Sequence, residues 1–184
     1  SDSTQSKFDD AFSKSTTSKT DSIKRFIEIL KKTLRVKKDD FTNQYVIEDR
    51  STSVYVNVNE MSLKLILDGY ASLYLQMRYK GDDWLFISSY TLKADDEIYA
   101  LNPSYGDVKQ DHNSGGVFEW YNTVCSDNLI EFLRKIDQSN VVKIRMHGAD
   151  YYKDRTISKQ ERKAIQKILQ AYDDYTAINN YYTR

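Results

Sequence analysis

The stretch over residues 62–101, SLKLILDGYASLYLQMRYKGDDWLFISSYTLKADDEIYAL, constrains this chain most, because apolar and polar residues alternate along it with a period of two. Leu63, Leu65 and Leu67 share one face and leave Lys64 on the other. Asp68-Gly69 has the chemistry of a hairpin turn, since glycine accepts positive φ and Asp tolerates it. Leu73, Leu75 and Met77 resume the period against Tyr74, Gln76 and Arg78. Gly81-Asp82-Asp83 reads as the next turn. Trp84, Phe86 and Tyr90 then alternate with Leu85, Ile87 and Thr91, a strand bulky on both faces, which predicts a place in the middle of a sheet. Ala94-Asp95-Asp96 turns into a last short strand at Glu97–Leu101. Asn102-Pro103 closes the unit, because proline cannot donate to a ladder.

The flanking segments add helices. Residues 22–38 predict one, with Ile23, Phe26, Ile27, Leu30 and Leu34 in a single stripe and seven Lys and Arg around it. A basic amphipathic helix can lie on anionic lipid, but this stripe is what core packing needs. Residues 41–59 predict two strands, one at Tyr45-Val46-Ile47 and one marked by Val54, Val56 and Val58, joined by a turn over 48–53. Residues 102–116 read as loop, with the only proline and three of the six glycines. Val117, Glu119 and Tyr121 alternate with Phe118, Trp120 and Asn122 as a further strand. Residues 126–137 predict a helix capped by Ser126 or Asp127, with Leu129, Ile130, Leu133 and Ile136 buried. Residues 141–147 and 151–156 predict a strand pair around Gly148-Ala149-Asp150, with Val142, Ile144 and Met146 inward. Ser158-x-x-Glu161 is a capping box that opens a third helix, with Ile165, Ile168, Leu169 and Tyr172 as its stripe.

Strands that run consecutively favour an α+β fold over a βαβ fold. The expectation is a single antiparallel sheet of consecutive short strands packed by about three helices. Residues 1–21 read as a flexible Ser/Thr-rich tether, 22–175 as one domain, and 176–184 as a Tyr-rich tail.

Composition bounds the function classes. A 40% hydrophobic share with 15 tyrosines among 184 residues can fill a core and still leave amphipathic rings on the surface. Basic and acidic residues balance at 27 each, so bulk charge gives no strong nucleic-acid or membrane-surface signal. No apolar run is long enough to predict a transmembrane helix, and no signal peptide is visible. The chain starts at Ser1 rather than Met, as trimming would leave it, and a lipid anchor would lie upstream. The lone Cys125 cannot form an internal disulfide.

The chemistry-bearing residues are few. Cys125 precedes a helix N-terminus, which lowers a thiol pKa, and with His112 or His147 it could act as a nucleophile; a buried packing cysteine is the plainer reading. Asp82-Asp83 and Asp95-Asp96-Glu97 could act as paired carboxylates, but both fall where turns favour Asp. No residue set has metal-ligand spacing, Gly115-Gly116 lacks a phosphate loop's Lys-Ser/Thr, and no cofactor is implied. Residues 143–167 carry eight basic against three acidic residues, with Tyr151 and Tyr152 interleaved. That could be a polyanion face or a solvated sheet edge and helix face. The candidate binding residues are Tyr105 and His112 in the loop, with Tyr151, Tyr152, Lys153 and Arg155 in the basic segment. No residue is assigned a catalytic or metal role.

Two blocks carry a resemblance: Gly81-Asp82-Asp83-Trp84-Leu85-Phe86-Ile87, and Lys143-Ile144-Arg145 followed by Gly148, Tyr151, Tyr152, Asp154 and a terminal helix. They resemble a group of uncharacterised bacterial proteins, secreted or lipid-anchored, over about residues 37–175. The resemblance implies an envelope location and brings no activity with it. The first expectation is therefore a non-enzymatic module at the bacterial cell envelope or secreted, binding another protein or an envelope component. The alternatives are a cytoplasmic or phage-encoded inhibitor of a host enzyme, and an enzyme using Cys125 or the Asp pairs.

Overall fold

The computed structural model describes residues 18–183. The elements follow as α1 (Lys19–Leu30), β1 (Leu34–Lys38), β2 (Tyr45–Asp49), β3 (Glu60–Leu67), β4 (Ala71–Gly81), β5 (Ser89–Ala94), β6 (Glu97–Leu101), β7 (Lys109–Asn113), β8 (Gly116–Val124), α2 (Asp127–Lys135), β9 (Val142–His147), β10 (Tyr152–Thr156) and α3 (Lys159–Tyr182). The class is α+β, and the expected single sheet is corrected to two antiparallel ones. A six-stranded sheet runs β1-β2-β3-β4-β8-β7 and a four-stranded sheet runs β10-β9-β5-β6.

The period of two sets the inner faces. Met61, Leu63, Leu65 and Leu67 lie opposite Met77, Leu75, Leu73 and Ala71 across β3 and β4. Gly69, at φ 71, makes the turn between them, a conformation that costs glycine little. Helices α1 and α3 pack on the large sheet. The small sheet buries Tyr90, Leu92 and Ala94 against Val142, Ile144 and Met146. Leu129, Leu133 and Ile136 join these residues in one apolar cluster shared by both sheets. Each such side chain, once buried, contributes about 1.5–3 kcal/mol, so this shared core dominates the stability.

Several sequence expectations are overturned. The helix over 22–38 ends at Leu30, and residues 34–38 form β1. Leu34 fits a helical stripe, but Leu34 and Val36 also fit period two, and β2 offers them partners in Asp49 and Ile47. The valines at 54, 56 and 58 make no strand. Their backbone passes over the outer face of the large sheet, where the Arg78 guanidinium donates to the carbonyls of Ser53 (2.7 Å) and Tyr55 (3.1 Å). The Trp84–Ile87 strand is also absent, for reasons given below. Residues 109–113, expected as loop, pair with β8 as β7. The Tyr-rich tail continues α3 to Tyr182: Tyr175 is buried with its ring 6.3 Å from that of Phe26, and the Tyr182 hydroxyl lies 2.6 Å from that of Ser22. The expected boundary at residue 21 falls inside α1; the rest of the expected tether, residues 1–17, lies outside the described residues.

The capping box at Ser158 forms as read and reaches further than its own helix. The Ser158 hydroxyl accepts from the Glu161 N–H at 3.1 Å. The Glu161 carboxylate accepts from the N–H of Ser158 (3.1 Å), from the N–H of Met61 in β3 (2.8 Å), and from both terminal nitrogens of Arg155 in β10 (2.7 and 2.9 Å). One side chain thus ties α3 to both sheets. Burial pushes the Glu161 carboxyl up, but the Arg155 and backbone donors outweigh it and hold it below the ordinary value of 4.5. A depressed folded value means the stabilisation is complete above the unfolded value and is lost as pH falls through the folded one. Glu161→Gln is expected to unfold about 2 kcal/mol more easily at neutral pH. In urea titrations the gap to the parent should close as the pH drops below 4.5; a gap independent of pH would show that the charge contributes nothing.

Candidate binding site

Residues 82–88 carry the chain from β4 of the large sheet to β5 of the small one. Leu85 and Ile87 are buried, while Phe86 between them is 51% exposed. Phe86 sits at φ 54, a left-handed conformation that costs a bulky residue about 1–3 kcal/mol. Glu119 of β8 holds it there. Its carboxylate is 0% exposed and accepts from the N–H of Leu85 (2.8 Å), Phe86 (3.0 Å) and Ile87 (2.8 Å), and from the Gln110 amide (3.2 Å). Hydrogen bonds to an ionised acceptor are short and strong, which offsets the strain. This is why the segment is not a strand: its donors converge on one side chain and leave none for a ladder.

Glycine chemistry closes the other side. The Ala149 N–H donates to the Leu85 carbonyl at 3.1 Å, and a Cβ on Gly148 would lie 2.2 Å from that same oxygen. Ser88 donates to the His147 carbonyl at 2.8 Å. Tyr90, stacked on Tyr121 with ring centres 5.9 Å apart, lies buried just beyond. Burial, with the Glu119 charge beside it, pushes its hydroxyl well above the usual tyrosine range.

The outer surface of this segment is aromatic. The Trp84 ring stacks near Phe86 at 5.9 Å and meets the edge of His112 at 6.2 Å. Tyr151 donates its hydroxyl to the Trp84 carbonyl at 3.2 Å. Beside Phe86 an open groove of ≈ 520 Å³ is lined by Ile87, Ser88, Pro103, Ser104, Tyr105, Gly106, Val108 and Gln110. None of the lining residues is charged, and Tyr105 is fully exposed at the rim.

Of the six residues singled out from the sequence, Tyr105, His112 and Tyr151 gather around residues 84–88. The other three lie along β10 with different partners. The Arg145 guanidinium lies 3.9 Å from the centre of the Tyr152 ring, and Lys153 lies 5.9 Å from that of Tyr79. Arg155 is committed to Glu161. The sequence reading missed Phe86, Pro103 and Gln110 as surface residues and Glu119 as the support of Phe86 and Gln110. The available signal was a glutamate sharing a strand face with Val117 and Tyr121.

Of the other chemical candidates, Cys125 and Asp95 have clear structural surroundings. Cys125 is buried, and burial pushes its thiol up to about 12, the opposite direction to the lowering expected at a helix N-terminus. The Asp95 carboxylate accepts from the N–H groups of Asn140 and Val141, both at 3.0 Å, which hold it below the usual carboxylate range. Among the described residues no group of His, Cys, Asp and Glu could hold a metal ion, and no helix is long and apolar enough to cross a membrane. In the basic segment Arg145 pairs with Asp154, Arg155 with Glu161 and Lys167 with Asp49. Buried Arg162 donates to the carbonyls of Ile136, Asp137 and Ser139 at the end of α2.

Comparison with protein-family models, with curated proteins and with solved structures finds no match for this chain.

Glu119→Gln keeps the shape but turns an amide N–H toward existing donors. The unfolding free energy is expected to drop by about 3 kcal/mol or more, read by urea unfolding, with faster amide exchange at Phe86 and Ile87. An unchanged midpoint and unchanged exchange would mean that something other than this carboxylate fixes the segment.

Proposed function

We propose that this chain is a non-catalytic binding module of the bacterial cell envelope, and that it takes a protein or envelope component in the groove between Phe86 and Tyr105. One observation carries the reading: a large apolar ring is held outward, at positive φ, by a fully buried carboxylate. Strain maintained by a rigid support is a feature of functional surfaces. A preorganised aromatic anchor also loses little entropy on binding. The uncharged lining suits a neutral, partly apolar segment of the partner. The two blocks of the family resemblance meet here, through Trp84 and Leu85 on one side and Gly148 and Tyr151 on the other, and that resemblance is what supports the envelope location.

Phe86→Gly separates binding from folding. Glycine accepts φ 54 without strain, so the variant should be as stable as the parent or up to about 1 kcal/mol more stable. Phe86→Gly combined with Tyr105→Ala should weaken binding by about tenfold to a hundredfold. In a Trp120→Phe background Trp84 is the remaining indole, and its emission can be titrated with soluble peptidoglycan fragments and surface-protein peptides. Binding that survives in the double variant would remove the groove from consideration.

A further inference from the structure

The outer face of the four-stranded sheet carries a second surface, chemically unlike the first. Its residues stand in rows fixed by register. One row reads Thr156, Lys143, Lys93, Ile98 across β10, β9, β5 and β6. The next reads Asp154, Arg145, Thr91, Ala100. Lys93 and Lys143 are therefore directly opposite each other on the same face. Like charges in that relation destabilise a ladder.

One carboxylate, Asp154, lies in the field of Lys143, and its hydrogen bonds go to Arg145. Arg145 donates to both oxygens of Asp154 at 2.7 and 2.8 Å, which engages the one carboxylate at this place. Neither lysine has an ion-pair partner among the described residues. Both line a depression of ≈ 310 Å³ together with Thr91, Ile98 and His147. The Thr91 hydroxyl oxygen is positioned 2.9 Å from Nε2 of His147, and Ile98 is 64% exposed at the opposite side.

We infer that this depression binds the phosphate monoester of a soluble molecule, with the dianion between Lys93 and Lys143 and an apolar substituent against Ile98. Two lysines and an arginine against one carboxylate leave two positive charges, which a phosphate monoester balances. Two lysines directly opposite each other across the ladder can offer it charge-assisted hydrogen bonds. An exposed isoleucine beside them gives the rest of the molecule somewhere to lie.

The test uses phenyl phosphate, inorganic phosphate and phosphatidylglycerol vesicles, each titrated calorimetrically at low and physiological salt. Phenyl phosphate is expected to bind at millimolar concentration or tighter, more weakly at the higher salt. Lys93→Gln with Lys143→Gln should weaken it by about tenfold or more. Ile98→Ala should weaken phenyl phosphate and leave inorganic phosphate unchanged. Lys93→Glu should abolish binding while raising the thermal midpoint, because it converts a repulsive cross-strand pair into an attractive one. No binding of phenyl phosphate, or binding that the lysine substitutions leave intact, overturns the inference. Vesicle binding without phenyl phosphate binding also overturns it, and would make the face lipid-directed.

Discussion

A carboxylate in a protein interior must find charge or hydrogen bonds, because bare desolvation costs far more than folding can supply. Glu119 meets this demand with four N–H donors and no cation among its hydrogen-bonded partners. Three of those donors are consecutive backbone groups, and consecutive groups can converge on one point only if the chain turns sharply. The turn ends one sheet and begins the other, and it ejects Phe86. Two other glutamates work at comparable junctions. Glu161 joins α3 to β3 and β10. Glu60 accepts from the Ser53 N–H and from Arg78, which fastens the 50–59 segment over the large sheet. The seams of this fold are carboxylates, and the panels between them are leucine and isoleucine.

Those seams also decide how much could be read from the sequence. Period two identified β3, β4, β6, β8 and β9, and of the strand read over 84–91 only residues 89–91 fall in β5; the caps identified α2 and α3. The same rule proposed strands at residues 54–58 and 84–87, where there are none. In both places a distant side chain takes backbone groups of the segment or beside it: Arg78 holds the Ser53 and Tyr55 carbonyls, and Glu119 holds the N–H groups of Leu85, Phe86 and Ile87. Periodicity reports which side chains can share a face; it is blind to a hydrogen-bond partner more than twenty residues away. The β1 segment failed for the opposite reason, since Leu34 satisfies helical and extended spacing equally until β2 is in place. The C-terminal extension of α3 was legible in principle, because Tyr175 and Tyr182 continue the stripe of Ile165, Ile168 and Tyr172.

The candidate surfaces were legible to different degrees. Tyr105, His112 and Tyr151 lie far apart in sequence, and only the meeting of the two sheets brings them to one segment. The basic stretch 143–167 divides by residue type. Its arginines are locked into pairs or caps, as suits a planar group with fixed donor geometry. Lys93 and Lys143 are drawn together from different parts of the chain by strand register, which composition does not reveal.

Among the described residues the large sheet ends on β1 and β7, and the make-up of these edge strands bears on how two copies could meet. Every residue of β7, Lys109-Gln110-Asp111-His112-Asn113, is exposed, and β1 ends in Lys37-Lys38. Two copies meeting margin to margin would have to strip water from these side chains before any ladder could form. Among the described residues the two edge strands of the large sheet are thereby poor templates for a further strand.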